Sequence, residues 1–157
     1  MIGLGERVGL LWCLLAALLI GCNSPDTNTV GASGVVTYAG ATIEGAEVAF
    51  LPKDTMSDAK PARGTTDASG EFVVKTYFNS ELDAKGVRPG DYMVTIKKMA
   101  APEGMTLDEW QLARMDDPTS VPPLRYLLPE VYGNVKTTTL TATIENGGKN
   151  RFEFNLE

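Results

Sequence analysis

The chain contains no histidine, and its only cysteines are Cys13 and Cys22. Each shortage removes chemistry. Histidine is the commonest general base, the middle member of the Ser-His-Asp arrangement and a frequent zinc ligand, so those routes are closed. Cys13 lies inside an apolar run from Val8 to Ile20, and no thiol occurs after Cys22. Removal of that run leaves Cys22 no second thiol for a disulfide; pairing of Cys13 with Cys22 requires the run to be retained. Positive charge is also scarce, with 14 Lys and Arg against 20 Asp and Glu and a net charge of −6. An acidic balance argues against nucleic acid as a partner and against a broad electrostatic grip on anionic lipid. Long apolar runs are missing too. Spanning a bilayer takes about 20 residues, and Val8 to Ile20 falls in the shorter class of signal-peptide cores.

What is present starts with that run. Arg7 precedes it, Gly21 closes it and Asn23-Ser24-Pro25-Asp26 follows, the charged-apolar-small order of a secretory signal peptide. Leu19-Ile20-Gly21-Cys22 resembles the lipobox of bacterial lipoproteins, in which the cysteine sulfur receives a diacylglycerol before cleavage. The resemblance implies a helical signal peptide over residues 1–21, lipidation at Cys22 and a domain held on the extracytoplasmic side, periplasmic or cell-surface. Membrane attachment through acylated Cys22 is then the first partner. A single acyl chain binds only marginally, at about 0.8 kcal/mol per buried methylene, so stable retention needs at least two. A diacylglyceryl group supplies both at one residue.

The first 21 of the 157 residues aside, 136 remain, enough for one domain with its own core. Residues 22–33 are polar and rich in Ser, Thr, Asn and Gly, the composition of a flexible tether. From Gly34 to Glu157 period-two alternation dominates, as in half-buried strands. Gly34 to Tyr38 opens it. Glu44 to Leu51 sets Ala46, Val48 and Phe50 on one face, and Glu71 to Tyr77 does the same for Phe72 and Val74. Tyr92, Val94 and Ile96 follow, then Leu140, Ala142 and Ile144, then Phe152, Phe154 and Leu156. Asn146-Gly147-Gly148 predicts that the last two strands form a hairpin. About seven short strands punctuated by turns predict an all-β sandwich.

Alternation stops between Met99 and Leu124, where Pro102, Pro118, Pro122 and Pro123 gather. Inside this insertion Thr106 and Glu109 have the spacing of a capping box, and Leu107, Trp110 and Arg114 follow at helical intervals, predicting one short helix in an inserted loop. The segment Leu124 to Asn134 is too apolar for a free loop and is expected along the edge of the sheets.

Gly34-Val35-Val36-Thr37-Tyr38 followed by Glu44-Gly45-Ala46-Glu47-Val48-Ala49-Phe50 resembles the opening of carboxypeptidase regulatory-like domains, which have a transthyretin-like fold. Gly64-Thr65-Thr66-Asp67-Ala68-Ser69-Gly70-Glu71-Phe72 and Pro89-Gly90-Asp91-Tyr92-Met93-Val94 are similar to the turn-and-strand segments that follow in that family. With the lipobox and the closing Leu-Pro-x-x-Tyr-Gly, the whole resembles small lipoproteins of planctomycete-type bacteria. Thr42-Ile43 departs from the pattern, which often has proline before the second strand. The resemblance implies an architecture and not an activity, because fold alone assigns no function.

The remaining motifs carry little chemistry. Asp116-Asp117 and Asp108-Glu109 are adjacent carboxylates that point apart, and a serine paired with Lys97 or Lys98 has no supporting spacing. Asp67-Ala68-Ser69-Gly70 lacks the ligand spacing of a calcium loop and reads as a turn. Phe50, Phe72, Tyr92, Phe152 and Phe154 fall on inward positions; Trp110, Tyr126 and Tyr132 lie in or beside the insertion, covering a sheet edge or forming a contact patch. The reading is therefore a non-enzymatic, lipid-anchored cell-envelope protein without catalytic residues, metal or cofactor. Trp110, Tyr126 and Tyr132 are its candidate contacts for an envelope protein or glycan. The alternatives are a carbohydrate- or peptide-binding accessory module of a transport or degradation system and, less favoured, a hydrolase.

Overall fold

A computed structural model describes residues 27–79 and 83–157. The expected signal peptide, residues 1–21, and Cys22 lie outside the described residues. The protein is mostly β, 41% strand against 11% helix. In chain order the strands are β1 (Ala32–Tyr38), β2 (Ala41–Thr42), β3 (Glu47–Pro52), β4 (Ala62–Thr65), β5 (Glu71–Val73), β6 (Lys75–Tyr77), β7 (Asp83–Lys85), β8 (Gly90–Lys97) and β9 (Met99–Ala100). Then come α1 (Leu107–Asp116), β10 (Arg125–Tyr126), α2 (Glu130–Gly133), β11 (Thr141–Ile144) and β12 (Asn150–Leu156).

The strands form two larger sheets. One runs β11-β8-β3-β4-β6-β7, antiparallel throughout. The other has β1 at its centre, with β12 parallel on one side and β2 and β5 antiparallel on the other. Both supply one core: Val48, Phe50, Tyr92, Val94, Ile96 and Ile144 from the first, Val36, Phe72, Phe154 and Leu156 from the second. Apart from Val36, these are inward positions that the period-two pattern assigns. Phe50 is in ring contact with Phe72, Tyr92 and Phe152, so one side chain joins the aromatic groups of both sheets.

Three expectations change. Glu71 to Tyr77 is two strands, because at Val74 the chain passes from one sheet to the other. There the Val74 amide donates to Ala32 and its carbonyl accepts from Gly86. The last two strands are not a hairpin. β11 pairs with β8 and β12 with β1, and the Asn150 side chain closes the turn between them, accepting from the Glu145 amide at 2.9 Å and donating to its carbonyl at 3.1 Å. The two apolar faces thus reach the core from opposite sheets. Third, the expected tether is docked along its described part. Val30 and Val87 exchange both backbone hydrogen bonds, Thr29 donates to the Lys85 carbonyl, and β1 begins at Ala32.

Asp67 behaves as the turn residue the sequence suggests. Its carboxylate accepts from the Ser69 hydroxyl at 2.6 Å and from the Ser69 and Glu71 amides, while Gly70 takes a positive φ of 77°. Those bonds, the Ser69 hydroxyl foremost, hold the Asp67 carboxyl below its usual pKa. β12 is an edge strand whose outward Arg151, Glu153 and Asn155 discourage further pairing.

Gly34 marks the tightest point beside the core. A β-carbon there would collide with the Phe152 carbonyl and lie 2.7 Å from the Phe72 ring, whereas one at Gly31 meets nothing. Gly34→Ala is predicted to destabilise the fold by about 1–3 kcal/mol through overpacking, and Gly31→Ala by no more than about 0.5 kcal/mol. Urea unfolding of the two variants checks the difference.

Candidate functional site

The insertion has a defined base. β9 pairs with β10 through Arg125–Ala100 and Tyr126–Met99, and the Leu127 amide donates to the Lys98 carbonyl at 2.8 Å. Above this two-stranded neck, α1 begins where the capping box places it. The Thr106 hydroxyl accepts from the Glu109 amide and the Glu109 carboxylate accepts from the Thr106 amide at 2.7 Å. These bonds hold the Glu109 carboxyl below its ordinary value of 4.5. A depressed carboxylate stabilises the folded form above its unfolded pKa, and that contribution is lost as pH falls through the folded value. The box therefore persists through neutral pH and weakens only in acid. Asp117 ends the helix, its carboxylate taken up by the Thr119 amide and hydroxyl.

The three candidate aromatic residues fall in different environments. Trp110 is buried; its Nε1 donates to the Pro122 carbonyl at 2.7 Å and the Arg114 guanidinium lies 5.1 Å from its ring. It fastens α1 to the proline-rich return segment, and its ring is a packing surface of the insertion rather than an open contact. Tyr132, on α2, packs against the main core and shares hydrogen bonds with the backbone of Glu157. Tyr126 alone of the three is exposed, at 43%.

The face of α1 opposite Trp110 was not singled out from the sequence. Leu112 and Met115, three residues apart and therefore neighbours on the helix surface, are 67% and 83% exposed. Asp108 lies on the same side by helical spacing, and Glu103, Asp108, Glu109, Asp116 and Asp117 make the insertion acidic. The available signal was helical spacing: Leu112 and Met115 follow a periodicity that Trp110 does not share. An exposed apolar pair rimmed by carboxylates suits a protein partner with a complementary apolar and basic surface.

A second feature is an open groove of about 690 Å³ lined by Glu47, Arg63, Thr65, Val73, Lys75 and Tyr77. It opens where β5 and β6 divide between the sheets. Arg63 and Lys75 stand directly opposite on neighbouring strands, an arrangement that like-charge repulsion disfavours. Lys75 is 3.6 Å from Asp83 and Glu47 is 3.3 Å from Lys97, while Arg63 has no ion-pair partner among the described residues. A carboxylate placed in the groove would relieve the repulsion.

Among the described residues, no group of three or more His, Cys, Asp or Glu side chains could hold a metal ion. No helix among them is long and apolar enough to cross a membrane. Comparison with family models, with curated proteins and with solved structures finds no match.

Ala101 and Trp110 are the insertion's buried residues, and neither belongs to the main core cluster. Replacing residues 101–124 by Asn-Gly, which joins β9 to β10 through a two-residue turn, is predicted to leave a cooperatively folded β domain. Near-ultraviolet dichroism and a thermal melt check this; loss of cooperativity would make the insertion part of the core.

Proposed function

We propose that this is a lipid-anchored, extracytoplasmic protein that displays a transthyretin-like β-sandwich as a non-enzymatic structural or binding module. The observation that carries the reading is Leu19-Ile20-Gly21-Cys22 immediately after the apolar run. Cys22 holds the diacylglycerol, and the two sheets around one core form the sandwich. Two features support display. The insertion's buried residues, Ala101 and Trp110, lie outside the main core cluster above a strand neck, and α1 turns Leu112 and Met115 outward. Tyr126 flanks the same neck. Together these residues form the contact surface for an envelope protein.

A second reading is favoured by the groove. The facing Arg63 and Lys75, with Tyr77 57% exposed beside them, suit a carboxylate-bearing sugar chain and an accessory role in carbohydrate binding.

Cys22→Ser removes the acylated sulfur. The wild-type protein partitions into the detergent phase of a phase-separating detergent extract, and the variant is predicted to move to the aqueous phase. Retention of the variant in the detergent phase would overturn the lipid-anchor reading.

A further inference from the structure

The chain enters the domain at one end and carries the insertion at the other. Thr27 is tied down, since its carbonyl accepts from Arg88 Nε at 3.1 Å. The same guanidinium donates to the Asp58 carbonyl, lies 3.9 Å from the Asp58 carboxylate and stacks over Phe78. Arg88 is itself held from the core, because the buried Tyr92 hydroxyl donates to its carbonyl at 2.8 Å. The loop between β3 and β4, residues 53–61, therefore lies one side chain away from the point where the tether reaches the domain.

β8 begins at Gly90, two residues after Arg88, and ends at Lys97, just before the neck of the insertion. Its eight residues, at about 3.3 Å each, separate the two ends by roughly 25 Å. The tether is shorter than that. Thr27 lies five positions after Cys22, and a fully extended chain covers at most about 3.3–3.6 Å per residue, about 17 Å in all. An acylated Cys22 cannot let the domain turn its insertion end to the membrane without undoing the Thr27, Thr29 and Val30 contacts.

The surface at the tether end suits a lipid headgroup layer. Met56, at the tip of the 53–61 loop, is 92% exposed. The turn beneath it is set by Asp54, whose carboxylate accepts from the Met56 amide and whose carbonyl accepts from the Ser57 hydroxyl. Asp58 is paired with Arg88, while Lys53, Lys60 and Lys85 have no ion-pair partner among the described residues. The loop's own carboxylates are engaged within this end, Asp54 by the Met56 amide and Asp58 by Arg88, which leaves three lysines without an ion-pair partner among the described residues and one projecting thioether, while the carboxylates of α1 lie at the far end.

We infer that the domain rests on the bilayer that holds its own lipid, with Lys53, Met56 and Lys60 against the headgroups and α1 facing away. This rests on the lipid-anchor reading. The two acyl chains provide retention, and the loop sets the direction in which the domain faces. The partner of this surface is a lipid layer containing anionic headgroups.

The test uses the acylated protein in nanodiscs of phosphatidylcholine and phosphatidylglycerol that include a gadolinium-chelate lipid. Amide relaxation is read by NMR. Amides of residues 53–60 are expected to relax at least threefold faster than those of residues 107–116, and the Lys53→Glu, Met56→Ser, Lys60→Glu variant should reduce that ratio. Equal rates, or faster relaxation in α1, would overturn the orientation. An undiminished ratio in the variant would overturn the role of these three side chains. Detergent-phase partition of the same wild-type sample separates the two failures. A protein found in the aqueous phase defeats the anchor reading and this inference together, whereas a partitioning protein with equal rates defeats only the inference.

Discussion

The contact of Phe50 with the rings of Phe72, Tyr92 and Phe152 is the constraint on which the rest of the protein depends. Phe50 projects from the six-stranded sheet and meets Phe72 and Phe152 from the other, with ring centroids 6.3 and 5.7 Å away. Fully burying a side chain of this size contributes about 1.5–3 kcal/mol. The exposed ion pairs, such as Arg151 with Glu71, belong to a class worth about 0–1 kcal/mol each. Apolar burial therefore decides the fold, and the surface charges are left to govern encounters with other molecules. Tyr92 extends the core's influence outward. Burial raises its phenol above the ordinary value of 10, so it stays a neutral donor to the Arg88 carbonyl, and Arg88 in turn grips Thr27.

That chain of contacts gives the molecule two distinguishable ends. At one, Thr27 to Val30 is pinned beside the 53–61 loop. At the other, a two-stranded neck carries α1, whose buried Trp110 lies outside the main core cluster. A module built this way exposes a surface, Leu112 with Met115, whose alteration need not disturb the packing beneath. The groove at Arg63 and Lys75 arises from a different cause, the division of one extended segment between two sheets at Val74.

Much of this was legible in the residues. Strict alternation located the inward side chains of β3, β8, β11 and β12, because a strand with one buried face leaves no other solution. The Thr106–Glu109 box located α1 for an equally local reason. Long-range choices were not legible. Gly147 and Gly148 announce a turn, but nothing local says that Asn150 will close it sideways and send β12 to lie parallel to β1. The polar composition of residues 27–31 suggested a free tether, and only the folded position of Arg88 and Val87 reveals the docking. Among the candidate contacts, Trp110 looked like Tyr126 in sequence because both lie in or beside the insertion and next to charged residues. The partner that buries it, Pro122, lies twelve residues on.

The lipid at Cys22 is the central claim, because the orientation and the display of α1 both follow from it. The most direct measurement is the mass of the protein extracted from membranes, with fragmentation of its N-terminal peptide. The account predicts a chain that starts at Cys22 and carries a diacylglyceryl group on the sulfur. An unmodified Cys22, or a chain that still carries residues 1–21 ahead of it, would contradict the account.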